Sequence, residues 1–259
     1  GGGIPILMPL HQSLAANQIE SIVGILNGTT NYILSQMTET GVSYANALAD
    51  AQKQGFAEAD PTNDVCGFDA ARKLAILSSI GFRANVTFDD VLVEGIEKID
   101  KSDIQYAKEM GYTIKLLTVA LRQEDGIALN VYPAFLPDNH PLSSVKGSYN
   151  AIYVTGNIVD DVMFYGRGAG ALPTASAVMG DVISTAQHIL NGSTGTGMIM
   201  TDTKRIPFYS SLKLQNSYYF RLDVDDVTGV LSQIASAFAE HEISICEVVQ
   251  KRKAKGVAE

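Results

Sequence analysis

One short stretch, AQKQGFAEADPTNDVCGFDAARK at Ala51 to Lys73, packs Glu58, Asp60, Asp64, Asp69 and Lys73 among residues that are mostly small or apolar. Asp69 and Lys73 are four apart, so on a helix they share a face one turn from each other. On a surface such a pair is an ordinary ion pair worth little. In a water-poor setting it marks a site, because buried charges persist only when paired. Val65, Phe68, Ala70, Ala71, Leu74, Ala75, Ile76 and Leu77 cover most of the circumference, the pattern of a buried helix. Lys73 is then the candidate proton donor to a carbonyl oxygen, since burial makes a lysine reactive. Asp69 would orient it and counter the desolvation that lowers a lysine pKa. Glu58 and Asp64 suit a substrate ammonium, held by charge-assisted hydrogen bonds. Asp60 reads as a turn residue before Pro61, and Cys66 as a small buried hydrophobe.

The elements that position these groups divide at Pro61. Tyr44 to Gln54 predicts a helix capped by Ser43 and stopped by Gly55. Asn63 or Asp64 is placed to cap a second helix running to about Ser79. Upstream, Ile4 to Ala16 reads as a short helix and Ile19 to Leu26 as a buried strand. Asn31 to Thr38 predicts a helix capped by Thr29 or Thr30. Thr87 to Ile99 and Ser102 to Met110 read as helical. Tyr112 to Arg122 and Ile127 to Leu136 flank a hairpin turn at Glu124-Asp125-Gly126. Asn150 to Gly156 and Val162 to Tyr165 form a second strand pair, and Thr174 to Leu190 a long helix. Segregated runs of strands and helices predict an α+β fold, a mixed or antiparallel sheet covered by helices.

The domain expectation is 1–192 for that unit, 193–216 for a linker centred on the glycine-rich Gly192 to Gly197, and 217–259 for a βαβ tail. The tail reads as a strand from Tyr218 to Val224, a helix with Leu231, Ile234, Ala235 and Phe238 on one face, and a strand from Ile243 to Gln250.

At 259 residues the chain can bury a substantial core. A net charge of -9 and a pI near 4.9 argue against nucleic acid and against an anionic membrane surface. No run is apolar enough to span a bilayer, and no signal peptide is visible. Two distant cysteines, Cys66 and Cys246, without a CxxC pair, make a reducing cytoplasm the default. The four histidines are scattered and suggest no zinc site. Gly166-Arg167-Gly168-Ala169-Gly170 lies between a strand and a helix, where backbone N–H groups could face an anion; a tight turn is the plain alternative. No Rossmann fingerprint appears in the sequence.

Ala51-x3-Gly55-Phe56-Ala57, followed by Asp60-Pro61-x2-Asp64-Val65-x-Gly67-x-Asp69-x3-Lys73, is similar to the signature of the homoserine dehydrogenases. GGGIPI at Gly1 to Ile6, GILNGTTNYIL at Gly24 to Leu34 and YGRGAGALPTASAVMGDV at Tyr165 to Val182 extend the resemblance over about residues 1 to 192. It implies an oxidoreductase interconverting L-aspartate 4-semialdehyde and L-homoserine with NADP or NAD. Lys73 becomes the acid/base lysine, and Glu58 and Asp69 substrate-binding carboxylates. Gly55, otherwise a plain helix C-cap, and Gly170 become cofactor contacts. The carbonyls of Gly2 and Ile4 become ligands of a monovalent cation such as sodium, where a glycine turn is the residue-level reading. The tail resembles an ACT domain, which implies a threonine effector, and the family implies a homodimer or higher homo-oligomer. The family's dinucleotide-binding domain, with a second catalytic lysine, normally precedes GGGIP. With no initiator Met before it, the chain is therefore expected to be the catalytic part plus half of a regulatory tail, and inactive alone. The alternative is a non-catalytic module that binds an amino acid and dimerises.

Overall fold

The computed structural model describes residues 2–193, 206–209, 214–254 and 257–258. The chain divides into two compact units, Gly1–Leu214 and Gln215–Glu259.

In the first unit β1 (Ile19–Ile25) leads into α1 (Gly28–Thr40), then α2 (Tyr44–Lys53), the single turn α3 (Thr62–Val65) and α4 (Phe68–Phe82). A short strand β2 (Leu92–Val93) and α5 (Lys101–Glu109) precede the long hairpin of β3 (Tyr112–Gln123) and β4 (Gly126–Pro137). A second hairpin, β5 (Tyr149–Gly156) and β6 (Asp160–Arg167), ends in α6 (Ala171–Leu190). Six strands form one sheet in the order β2-β4-β3-β1-β5-β6. Every neighbouring pair is antiparallel except β2 with β4. The α+β expectation and the mixed sheet are therefore met.

Alternation along the strands builds two cores. Ile22, Ile114, Leu116, Ala120, Ile152 and Val154 face the main core, shared with Ile33, Leu34, Leu74 and Leu77 of α1 and α4. The intervening residues Ile25, Leu117, Val119 and Ala151 face the other side, where Leu142 and Val145 cover them and Val23, Leu121, Tyr132, Tyr153 and Met163 stay half-buried.

Several local expectations change. The helix predicted from Asn63 or Asp64 to Ser79 is two helices, broken by Gly67 in the left-handed region at φ 82°. A Cβ there would press on Val93 Cγ1 at 3.1 Å and Val131 Cγ1 at 3.2 Å, so glycine serves both the turn and the close approach. Nor is α4 buried all round: Arg72, Lys73 and Ile76 are exposed, because α4 lies on the sheet with one side only. The cap of α1 is Asn27, one turn earlier than the predicted start, because its carboxamide accepts from Thr30 N at 2.8 Å.

Thr87 to Ile99 is not helical. A Thr87–Asp90 capping box closes one 3-10 turn, and Leu92–Val93 then pairs in parallel with Asn130–Val131. Tertiary pairing of the β-branched Val93 outweighs the local helical pattern. Within Ile4 to Ala16 the helix is shorter than predicted: Leu7 and Met8 are α-helical and Pro9–Ser13 is a π-helix.

In the stretch predicted as linker, Ile127 N donates to Pro207 O (3.1 Å) and Tyr209 N to Ile127 O (2.8 Å), fastening residues 206–209 to β4. Thr194 to Gly197 lie outside the described residues.

The second unit holds α7 (Val230–Glu240) between β7 (Val224–Asp225) and the strands β8 (Arg252–Ala254) and β9 (Val257–Ala258), ordered β7-β9-β8. The predicted strands Tyr218 to Val224 and Ile243 to Gln250 are not strands apart from Val224. A strand exists only through a hydrogen-bonded neighbour. Phe220 still packs edge-on against Phe238 of α7, ring centroids 5.5 Å apart.

Candidate active site

Three chain segments meet where β1 runs into α1. Leu26 follows β1, and its carbonyl accepts from Lys73 Nζ at 3.1 Å. Asn27 comes next, and its Nδ2 donates to Asp64 Oδ1 at 2.7 Å and to Asp69 Oδ2 at 2.9 Å. The same Asp69 oxygen receives Lys73 Nζ at 2.7 Å. Asp64 is carried by α3 and Asp69 by the first turn of α4, where the positive end of the helix favours a carboxylate. The turn at Gly67 folds the two acids back toward one amide. Three of the predicted site residues, Asp64, Asp69 and Lys73, therefore come together.

The setting differs from the one the helix pattern predicted. The Lys73 side chain is 49% exposed and that of Asp69 33%. Lys73 is an ion-paired ammonium at the rim of the sheet, open to an incoming molecule, and its placement owes nothing to deep burial. Glu58 is exposed; its main chain is pinned by Gln52 Nε2, which donates to Glu58 O at 3.1 Å. The Glu58 carboxylate is engaged by no other side chain among the described residues. Asp60 accepts from Thr62 N and Thr62 Oγ1, which hold its carboxyl below the usual range, as expected of a turn residue. Cys66 donates from Sγ to Glu97 Oε2 at 3.0 Å, and that bond, with desolvation, pushes the thiol up to about 11. A protonated thiol is no nucleophile at neutral pH.

Asn27 and Thr29 are the residues that sequence reasoning assigned no role in the site. Thr29 Oγ1 donates to Phe56 O at 2.6 Å, tying α1 to the loop that carries Glu58. Phe56 also lies 4.6 Å from Tyr32 between ring centroids. A weak signal existed: Asn-Gly-Thr-Thr ahead of an apolar run is an N-cap pattern, and a cap with a second hydrogen-bonding end can reach outward.

The glycine segments converge nearby. Gly3 N donates to Gly168 O at 3.0 Å. A Cβ on Gly2 would come within 2.0 Å of Gly168 O, one on Gly168 within 2.6 Å of Asn150 Oδ1, and one on Gly28 within 3.3 Å of the same oxygen. Gly170 adopts φ 122°, ψ 160° at the start of α6, with no side chain capping the helix, so its N–H groups are available to an anion. Gly55, at φ 76°, ends α2 as the left-handed residue and has no atom within 4 Å of a Cβ position. Ile4 O already accepts from Ile6 N at 2.9 Å. Among the described residues no group of three His, Cys, Asp or Glu could hold a metal ion, and no helix is long and apolar enough to cross a membrane.

A family model described as homoserine dehydrogenase matches residues 5–183. The homoserine dehydrogenase of Corynebacterium glutamicum is 45% identical over 97% of this chain and 57% of its own length. That of Bacillus subtilis is 43% identical over 96% and 57%. The chain thus spans somewhat over half the length of these relatives. Among solved structures, a homoserine dehydrogenase from Thiobacillus denitrificans superposes with a TM-score of 0.92 at 39% identity, covering 99% of this chain and 60% of that one. A hyperthermophilic archaeal homoserine dehydrogenase mutant in complex with NADPH gives 0.61 at 27% identity, covering 72% and 53%. On the match over residues 5–183 and these identities, the chain belongs to the homoserine dehydrogenase family.

Proposed function

We propose that this chain supplies the substrate-binding and proton-transfer part of an enzyme that interconverts L-aspartate 4-semialdehyde and L-homoserine with NADPH or NADH. The observation that carries the reading is the position of Lys73 Nζ. It is held between Asp69 Oδ2 and Leu26 O, on a side chain half open to solvent. When bound, the nicotinamide cofactor supplies the hydride. Lys73 protonates the carbonyl oxygen in reduction and takes the proton back in oxidation. Asp69 keeps Lys73 aimed, while Glu58 and Asp64 grip the substrate ammonium. The free carboxylate of Glu58 is the expected state of a group awaiting its ligand.

Gly55 and Gly170 would hold the cofactor, where small residues let backbone approach a phosphate or ring. The carbonyls of Gly2 and Ile4 supply two neutral oxygens toward a monovalent cation, part of the shell a hard ion takes. The second unit is proposed to bind threonine as an effector. A homodimer or higher homo-oligomer is proposed to cover the sheet face that leaves Tyr132, Tyr153 and Met163 half-buried. The net charge and the unpaired cysteines support a cytoplasmic setting.

The test is isothermal titration of the chain with homoserine, NADPH and threonine, together with turnover in a protein extended to the length of the relatives. Homoserine binding should disappear in Glu58→Gln. Lys73→Ala should cut turnover by about 10²–10⁴-fold, the usual worth of a positioned acid/base group. If threonine alone binds and neither substitution changes anything, the chain is an amino-acid-binding module without catalytic function.

A further inference from the structure

We propose that Asn27 is a positioning residue for this site: its carboxamide sets the spacing of Asp64 and Asp69 and keeps Asp69 under Lys73. The side chain is buried, 5% exposed, and both of its polar atoms are engaged. Oδ1 accepts from Thr30 N at 2.8 Å and lies 3.0 Å from Thr30 Oγ1, whose one hydrogen it shares with the Asn27 carbonyl. Nδ2 spends one hydrogen on Asp64 Oδ1 and the other on Asp69 Oδ2. A carboxamide nitrogen has two hydrogens, so no donor is left over.

The orientation follows from the backbone. The first N–H groups of α1 have no partner within the helix, so the amide oxygen must face Thr30. The amide nitrogen must then face away from the helix, toward the acids. The N-terminus of α1 thus acts as a fixed anchor from which two carboxylates on α3 and α4 are held. Without those two donors the carboxylates would lose the group that holds them together, and like charges move apart. Asp69 Oδ2, shared between Asn27 and Lys73, is the atom through which a change at Asn27 reaches the ammonium.

This inference rests on the reading of the site as a homoserine site only for its ligand; the geometry stands without it. Asn27→Ser separates the two functions of the residue, because serine is an equally good N-cap but too short to donate to both acids. The serine variant should still fold and unfold cooperatively, because the cap is kept, while its homoserine affinity drops at least tenfold, hydrogen bonds to charged groups being the stronger kind. Asn27→Asp, which also caps, should lose more, since a third carboxylate replaces both donors. A crystal structure of the serine variant should show Asp64 and Asp69 drawn apart and Lys73 displaced from Asp69.

If the variant binds homoserine like wild type while Glu58→Gln abolishes binding, Asn27 is only a helix cap and the substrate assignment survives. If wild type binds no homoserine, that assignment fails, and the variant structure alone decides: an unmoved Asp64–Asp69–Lys73 cluster overturns the inference, a displaced one supports it. Should the serine variant not fold, Asn27→Asp carries the same structural and binding readouts.

Discussion

Two lysines behave oppositely here, and the difference is burial. Lys73 is ion-paired and half exposed. Lys115, on β3, is 2% exposed and faces Asn31 Oδ1 at 2.9 Å and the Val145 carbonyl, with no carboxylate in contact among the described residues. Its pKa is lowered to about 8, chiefly by desolvation, with Glu39 opposing and Lys146 contributing to the drop. Below pH 8 the folded and unfolded chains both carry this proton. Between about 8 and the ordinary lysine value of 10.5 the folded chain has released it and the unfolded chain has not. Unfolding then takes up a proton, so this group makes stability rise with pH across that window. A shift of this size corresponds to about 3 kcal/mol. Stability measured by denaturant unfolding from pH 7 to 10.5 should show that rise relative to Lys115→Met. Equal slopes in the two proteins would show that Lys115 is not desolvated. The sequence pattern singled out the wrong lysine for burial: Lys115 lies inside a strand run that reads as continuous apolar, where one polar residue carries no periodic signal.

At the scale of elements, the site depends on how α3 and α4 are seated, and that is settled by residues outside both. Segment 94–97 straps the Gly67 turn from above. Ile96 N donates to Val65 O at 2.8 Å, Glu94 N to Val131 O at 2.7 Å, and Cys66 Sγ to Glu97 Oε2. Gly95 lies so close that a Cβ would be 2.3 Å from Val65 O and 2.6 Å from Cys66 Cα. Both contacts are with backbone, so neither side can yield without moving the turn. Gly95→Ala should therefore cost about 1–3 kcal/mol in denaturant unfolding, the range of an overpacked core, and weaken homoserine binding through Asp64. An alanine variant as stable as wild type would show that the strap is loose. The same region is where local reading failed. Thr87 to Ile99 has helical composition, yet Val93 pairs with Val131 because a neighbouring strand edge is available to it.

At the scale of the molecule, Asn27, Asp64, Asp69 and Lys73 all belong to the unit Gly1–Leu214. A chain truncated after Leu214 should keep homoserine affinity within about twofold and lose any threonine response; loss of homoserine binding on truncation would tie the site to the second unit. The long helix α6 has no buried residue and exposes Leu172, Val178, Met179, Val182, Ile183, Ile189 and Leu190. Apolar area of that extent on a helix is unusual for a free surface. Sedimentation or size-exclusion chromatography should accordingly find the chain associated, and a strictly monomeric chain at high concentration would contradict the proposed homo-oligomer.

Periodicity and capping chemistry were enough to place β1, β3, β4, β5, α2, α5 and α6 to within a few residues, because alternation and N-caps are local properties written in adjacent side chains. The i, i+4 spacing alone was enough to join Asp69 to Lys73. Folding determined the rest: that Asn27 reaches 37 and 42 positions along the chain to two carboxylates, that Gly67 splits one predicted helix into two, and that Lys73 lies at the rim while Lys115 is buried. Those outcomes depend on which surfaces meet, and contacts between segments far apart in sequence leave no trace in the order of neighbouring residues.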